Sequence, residues 1–337
     1  MQRNHAFDFL CGICILRMLM NHVTSFCGFG GTDWWTGIYY WTFFFICFFF
    51  FKAGYFNKTT DGDSMAYCKK KARQLIVPYV TWGLIGCTVY FIMLGFASLR
   101  YHHAIEPLEW SHLWETAGFW GNRPVWFLLS FFVSYIFMHF LGRLPRVYRV
   151  VFFFPLVSYW LYCADNPLWL SLNNVFMCIY VFQLGHAWHL AIDRMPRLTI
   201  ISVSLVMLAL FGVLNILAHG EYTAADNVWR GSPVGVVVNL TLVLCGLSGL
   251  LLALRLPRIP VINYIGQHSM VYFVAHYPLI IIYRFIHISF GRSIIERWDD
   301  WIILMLLVPA ICSWLVPFVE RIPWLSGRFP QNKQSTS

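Results

Sequence analysis

Apolar residues in this chain run on continuously between widely spaced charges; they do not alternate with polar positions. Nothing charged lies between Asp33 and Lys52, a gap of 18 residues. Arg73 to Arg100 encloses 26, Arg123 to Arg143 19, Arg197 to Glu221 23, Arg230 to Arg255 24, Arg258 to Arg284 25 and Asp300 to Glu320 19. Arg149 to Asp193 is broken only by Asp165, and the first run, Phe7 to Cys27, only by Asp8 and Arg17. A bilayer-spanning helix needs about 20 apolar residues. Continuous runs of that length predict helices, because barrel strands would alternate. The pattern therefore predicts an all-α polytopic membrane bundle of about ten transmembrane helices. The fifth run, Val150 to Ala164, is short and holds Pro155.

Composition agrees. Of 337 residues, 59% are hydrophobic, 19% aromatic and 12% charged, and the mean hydropathy is +0.61. A soluble domain carries about 25% charge, so an ordinary soluble enzyme and a disordered chain are both excluded. The placement of Lys and Arg sets the orientation. With the N-terminus inside, inner segments hold 17 of the 24 basic residues, among them Arg3, Lys58, the run Lys69 to Arg73, Arg143, Arg146, Arg149 and Lys333; outer loops hold 5. That ratio predicts N-in and C-in. It accounts for the formal charge of +9 as topology and not as nucleic-acid binding. The first helix has no small-x-small site after it and reads as retained, not as a cleaved signal. Residues 1–320 form the membrane domain and 321–337 a short cytoplasmic tail. The ten cysteines scatter through the spans without a disulfide framework. Phe43 to Phe51 reads as lipid-facing and packing surface. The loop histidines His102, His103 and His112 lack metal-ligand spacing, so no metal is expected.

Ionisable residues inside a span cost several kcal/mol and mark function. The first helix holds three. At about 100° per residue, Asp8, Cys11, Ile15 and His22 share one face, and Arg17 points about 140° away from His22. His22 stands about 21 Å above Asp8. It is therefore a proton-handling candidate that Asp8 cannot touch, and Asp8 is expected to pair near the inner surface.

Several blocks in order resemble the membrane acyltransferase-3 family, multipass O-acyltransferases that include many acting on bacterial surface glycans. Arg3, Asp8-Phe9-Leu10-Cys11-Gly12 and His22 resemble its opening helix. Gly54-Tyr55 ends a Phe-rich second helix, and Lys69-Lys70-Lys71-Ala72-Arg73 before Pro78-Tyr79 is similar to its basic loop. Val125-Trp126-Phe127-Leu128 matches its Trp-Phe-Leu block; Gly266 to Tyr272 and His276-Tyr277-Pro278 resemble its late helix. Members commonly place Arg where this chain has Cys11. Either another cation fills that role or the acyl-donor contact differs.

The resemblance implies a bacterial inner-membrane enzyme that moves an acyl group, acetyl by preference, from acyl-CoA to a hydroxyl of a glycan or lipid-linked sugar. No bound cofactor is implied. His22 would be the base or transient acyl carrier. Lys70, Lys71 and Arg73 would suit coenzyme A phosphates. Arg17, Trp126, Ser269 and His276 are further donor or substrate candidates, with a satisfied interhelical role the alternative for His276. Arg284 would snorkel or touch an acidic acceptor. The competing function is a carrier or flippase for a lipid-linked saccharide, which an internal repeat would favour; none is visible.

Overall fold

The computed structural model describes residues 4–57, 63–101, 111–142, 153–165, 168–255 and 258–329. Arg3, Lys58, His102, His103, Arg143, Arg146, Arg149 and Lys333 lie outside the described residues. The chain is an all-α polytopic bundle. Among the described residues, nine helical stretches are long and apolar enough to cross a membrane.

α1 (His5–Phe26) starts under the Asn4 side chain, whose Oδ1 accepts from the Ala6 and Phe7 amides. The second stretch is broken into α2 (Asp33–Thr42), a 3-10 turn at Phe43–Phe45 and α3 (Cys47–Tyr55). α4 (Ser64–Tyr101) is far longer than a bilayer requires. The short α5 (Ser111–Thr116) precedes α6 (Trp126–Leu141), α7 (Phe154–Cys163), α8 (Val175–Ile192) and α9 (Arg197–Leu217). A hairpin of β1 (Gly220–Thr223) and β2 (Val228–Gly231) leads into α10 (Pro233–Leu254). α11 (Pro260–Gln267), α12 (Ser269–Ser289), α13 (Trp298–Arg321) and α14 (Pro323–Ser326) complete the chain.

Both ends of the described chain lie at one end of the bundle. Asn263 donates to the His5 carbonyl at 2.8 Å, and His268 meets Glu320 at 2.6 Å. The start of α1, the α11–α12 junction and the end of α13 therefore share that end, which carries most of the Lys and Arg and is called inner here. Leu141 closes α6 at the inner end, beside His139, which reaches Ser64 at 3.2 Å. Asn174 stands at the other end of the bundle, bonded to Ser130 of the first turns of α6. α7, the ten-residue helix with Pro155 at its start, lies between them in the chain.

Three sequence expectations change. The basic run is not a loop: Asp63 caps α4 through the amides of Met65 and Ala66 at 2.9 and 3.3 Å. Lys69 to Arg73 therefore stand on its first turns. The ninth apolar run is split at His268, so that α11 lies against α1 and the crossing is carried by α12. The Phe-rich stretch faces protein more than lipid, because Phe43, Phe45, Phe48, Phe50 and Phe51 are all buried.

Small residues set the closest helix approaches, as in other membrane bundles. A Cβ on Gly12 would stand 2.1 Å from the Ile262 carbonyl oxygen, and one on Gly266 1.7 Å from that of Asp8. α11 therefore rests directly on the backbone of α1. Gly54 and Gly185 do the same for α3 and α8, against the carbonyls of Phe182 and Phe51.

Candidate functional site

Near the outer end of α1, His22 meets α12. Its ring centre is 5.1 Å from that of His276 and 5.3 Å from that of Tyr277, the latter edge-on. His276 is buried, and its Nδ1 lies 2.8 Å from the Phe273 carbonyl and 3.1 Å from that of Tyr272. Carbonyls only accept, so Nδ1 carries the proton and the neutral ring leaves Nε2 as an acceptor. That nitrogen is buried without a hydrogen-bond partner among the described residues. Both carbonyls belong to α12 itself, so among the described residues no interhelical hydrogen bond satisfies this ring. An acceptor left open beside a second imidazole can take a proton from it, or hold its orientation.

His22 borders a cavity of about 70 Å³ together with Asn21, Trp126, Phe127, Tyr39 and Phe45. The hairpin roofs it with Tyr222 and Thr223; Thr223 is held to Tyr39 by a hydroxyl pair at 3.0 Å. Tyr277 also lines a second, open cavity of about 460 Å³ at the outer end, with Ser25, Phe26, Trp120, Arg123 and Arg284. His22 therefore stands between a small cavity and an outer vestibule, with the Tyr277 ring against it.

The wall between the two spaces is the segment Gly121 to Trp126, and its anchor was not legible as a site residue. Asn122 is fully buried and donates to the carbonyls of Val274 at 2.9 Å and Trp82 at 3.2 Å. Pro278 has no N–H, so it leaves the Val274 carbonyl, four residues back, without its helical donor. The Asn122 amide supplies one. The available signal was the pairing of a proline inside an apolar run with a polar Asn-Arg-Pro stretch preceding another.

Arg17 occupies a separate aromatic cage. Its guanidinium carbon lies 4.3, 5.1 and 4.9 Å from the ring centres of Trp35, Tyr39 and Phe45, and Nε donates to Thr42 at 2.6 Å. Both terminal nitrogens are buried without hydrogen-bond partners among the described residues. Tyr39 and Phe45 also line the His22 cavity, so the cation backs onto that space through π-faces.

The remaining sequence candidates stand elsewhere. Asp8 is buried at the inner end, with Gln267 donating to it at 3.3 Å. Ser269 opens α12 at the same end, two turns before His276. Lys70 and Arg73 are exposed on α4. Lys71 instead sits 3.4 Å from the ring centre of Tyr135, a cation–π contact. None of these lines the His22 cavity; Trp126 does.

At Cys11 the structure brings in a cation from another helix. Cys11 is buried, and Lys52 of α3 brings its Nζ to 3.0 Å from the Cys11 sulfur. A cation thus stands at this level of α1, supplied by the neighbouring helix. Sequence spacing cannot show this, because the two residues are 41 positions apart.

No protein of curated function and no solved structure matches this chain. The sequence pattern of the acyltransferase-3 family, described as an acyltransferase domain, matches residues 4–317. That match takes in the opening helix, the His22 and His276 pair and the basic turns of α4, and the chain belongs to the membrane acyltransferase-3 family.

Proposed function

We propose that this membrane acyltransferase moves an acyl group, acetyl by preference, from acyl-CoA at the inner end to a hydroxyl of a glycan or lipid-linked sugar that enters from the outer vestibule. One observation carries the reading. His22 borders a cavity on one side and stands on another beside the His276 ring, 5.1 Å away between ring centres, whose Nε2 has no hydrogen-bond partner among the described residues.

In this reading His22 takes the proton of the acceptor hydroxyl as its oxygen attacks the thioester carbon. The carbon–sulfur bond of the tetrahedral intermediate then breaks, and the proton on His22 goes to the departing thiolate. Coenzyme A and an ester are the products. The oxyanion needs donors aimed where charge develops. Asn21, beside His22 on the same cavity, has the right chemistry, and the caged Arg17 charge supplies field from behind the aromatic wall. His276 positions His22 and shares its proton.

Donor entry from the inner end is supported by where the free cations stand. Lys69, Lys70 and Arg73 are exposed on the first turns of α4, suited to phosphates. Lys52 lies further in, beside Cys11. The inner end would face the cytoplasm, as positive-inside charge placement directs, with the protein in a bacterial inner membrane.

The test is His22→Ala in cells, with glycan acyl content read by mass spectrometry, joined to purified protein in vesicles with labelled acetyl-CoA. Loss of label transfer by a normally inserted variant is expected. Persistent acylation overturns the role of His22. Movement of lipid-linked sugar without label transfer would favour a carrier.

A further inference from the structure

The arginines of the outer end fall into two sets. Arg230 pairs with Glu221 at 2.8 Å. Arg292 reaches Asp299 and Asp300 at 2.7 and 3.1 Å, and Arg297 reaches the same two at 2.7 and 3.2 Å. Arg123 and Arg284 have no acidic partner among the described residues, and both line the 460 Å³ outer vestibule. Among the described residues nothing acidic lines that space. Its other walls are mainly apolar, with the aromatic rings of Phe26, Tyr90, Trp120, Tyr277 and Phe285 beside Ile281 and Ile288. The Arg284 guanidinium is 5.7 Å from the Phe26 ring centre.

Two unneutralised guanidiniums on one concave wall are not explained by packing. Both are exposed, so neither is held by burial. They come from separate elements, the turn before α6 and the outer half of α12. Elsewhere at this end the chain supplies a carboxylate wherever it places an arginine side chain that is described. A cavity lined by one sign of charge concentrates ligands of the other. Arginine's planar fork suits carboxylate and phosphate oxygens. The aromatic faces suit the apolar faces of sugar rings.

We infer that the outer vestibule selects an anionic saccharide, one whose carboxylate or phosphate is held between Arg123 and Arg284 while the hydroxyl to be acylated reaches past Tyr277 to His22. The assignment of this sugar as the acceptor rests on the acyl-transfer reading above. The anion preference does not, because it is a property of binding alone.

The experiment measures equilibrium binding to the full chain in phosphatidylcholine nanodiscs, without acyl-CoA. The probes are a short oligosaccharide ending in glucuronate, the same oligosaccharide ending in glucose, and its glucose 6-phosphate form. The wild type is expected to bind the two anionic probes at least about tenfold more tightly than the neutral one, the scale of one charge-assisted contact. Added salt should reduce that difference, because the vestibule is open to solvent. R123Q/R284Q should abolish the preference and leave the neutral probe's affinity unchanged. Arg123→Lys and Arg284→Lys should retain part of it, and they serve if the glutamine pair does not fold. Equal or undetectable binding of all three probes by the wild type overturns the inference, as does a preference that survives in the double variant. Loss of the preference when phosphatidylglycerol replaces phosphatidylcholine would assign the arginines to lipid headgroups and overturn it too. Failure of acyl transfer with the anion preference intact would count against the transfer reading only.

Discussion

The side-chain amide of Asn122 donates at 2.9 Å to the carbonyl oxygen of Val274, an oxygen that Pro278 deprives of its helical donor. A single hydrogen bond therefore ties the segment that walls the two cavities to the helix that carries His276. Buried in a membrane protein, that carbonyl has no water to turn to.

Removing the donor should be costly. Asn122→Ala leaves the Val274 carbonyl unsatisfied, at a cost of about 1–3 kcal/mol. Pro278→Ala restores an N–H to α12, so the double variant should recover part of that loss. Thermal unfolding of the four proteins in detergent checks this as a double-mutant cycle. Strictly additive losses would show that the two residues are not linked.

His276 acts through His22 in the proposed mechanism, which separates it from a merely structural histidine. His276→Gln should lower kcat about tenfold to a hundredfold, less than the loss in His22→Ala, which general-base catalysis puts at about 10²–10⁴-fold. The KM for acyl-CoA should be little changed. The pH–rate profile should also move, because the partner for the His22 proton is gone. A kcat loss with an unmoved profile would leave His276 as packing alone.

Lys52 supplies the cation beside Cys11. Lys52→Ala should raise the KM for acyl-CoA about tenfold, the scale of one charge-assisted contact, with a smaller effect on kcat. Adding Cys11→Arg to that variant returns a cation to the same place from α1 and should recover affinity. Cys11→Arg alone sets two cations together in a buried site and should lower the unfolding temperature. An unchanged KM in Lys52→Ala would remove Lys52 from the donor path.

The hairpin has a built-in pH dependence. His219 stacks on Tyr40 with ring centres 3.6 Å apart, and its Nδ1 lies 3.2 Å from Asn215. Burial holds this imidazole below its ordinary value, and that outweighs the opposing pull of Glu221, 3.7 Å from Nε2. The folded state thus prefers the neutral ring. Its contribution should be complete above the ordinary histidine value of about 6.5 and fall as pH drops below it. Wild type should lose more thermal stability than His219→Gln between about pH 7.5 and pH 5.5. Parallel losses in the two proteins would count against it.

Much of the architecture was open to reading from charge spacing. The long apolar gaps located the spans because a bilayer fixes their length and tolerates few charges within them. The same reading failed where local backbone chemistry intervened. Asp63 drew Lys69 to Arg73 into a helix that continues past the membrane. The run from Arg258 to Arg284 holds no charge to mark the break at His268. The site was half legible. His22 stood out as an ionisable residue in a span, and His276 as a second.

What the sequence determined by itself was the class of solvent, the helical character and approximate places of the spans, and the helix face on which His22 lies. Those follow from period, length and charge, which are local properties. The tertiary structure decided which side chains meet: His276 at His22, Lys52 at Cys11, aromatic rings around Arg17 and Asn122 at Val274. Helical periodicity gives each residue an azimuth on its own axis but says nothing of which helix lies beyond it. That choice is made by the close approaches at Gly12, Gly266, Gly54 and Gly185, where backbones meet because no Cβ keeps them apart.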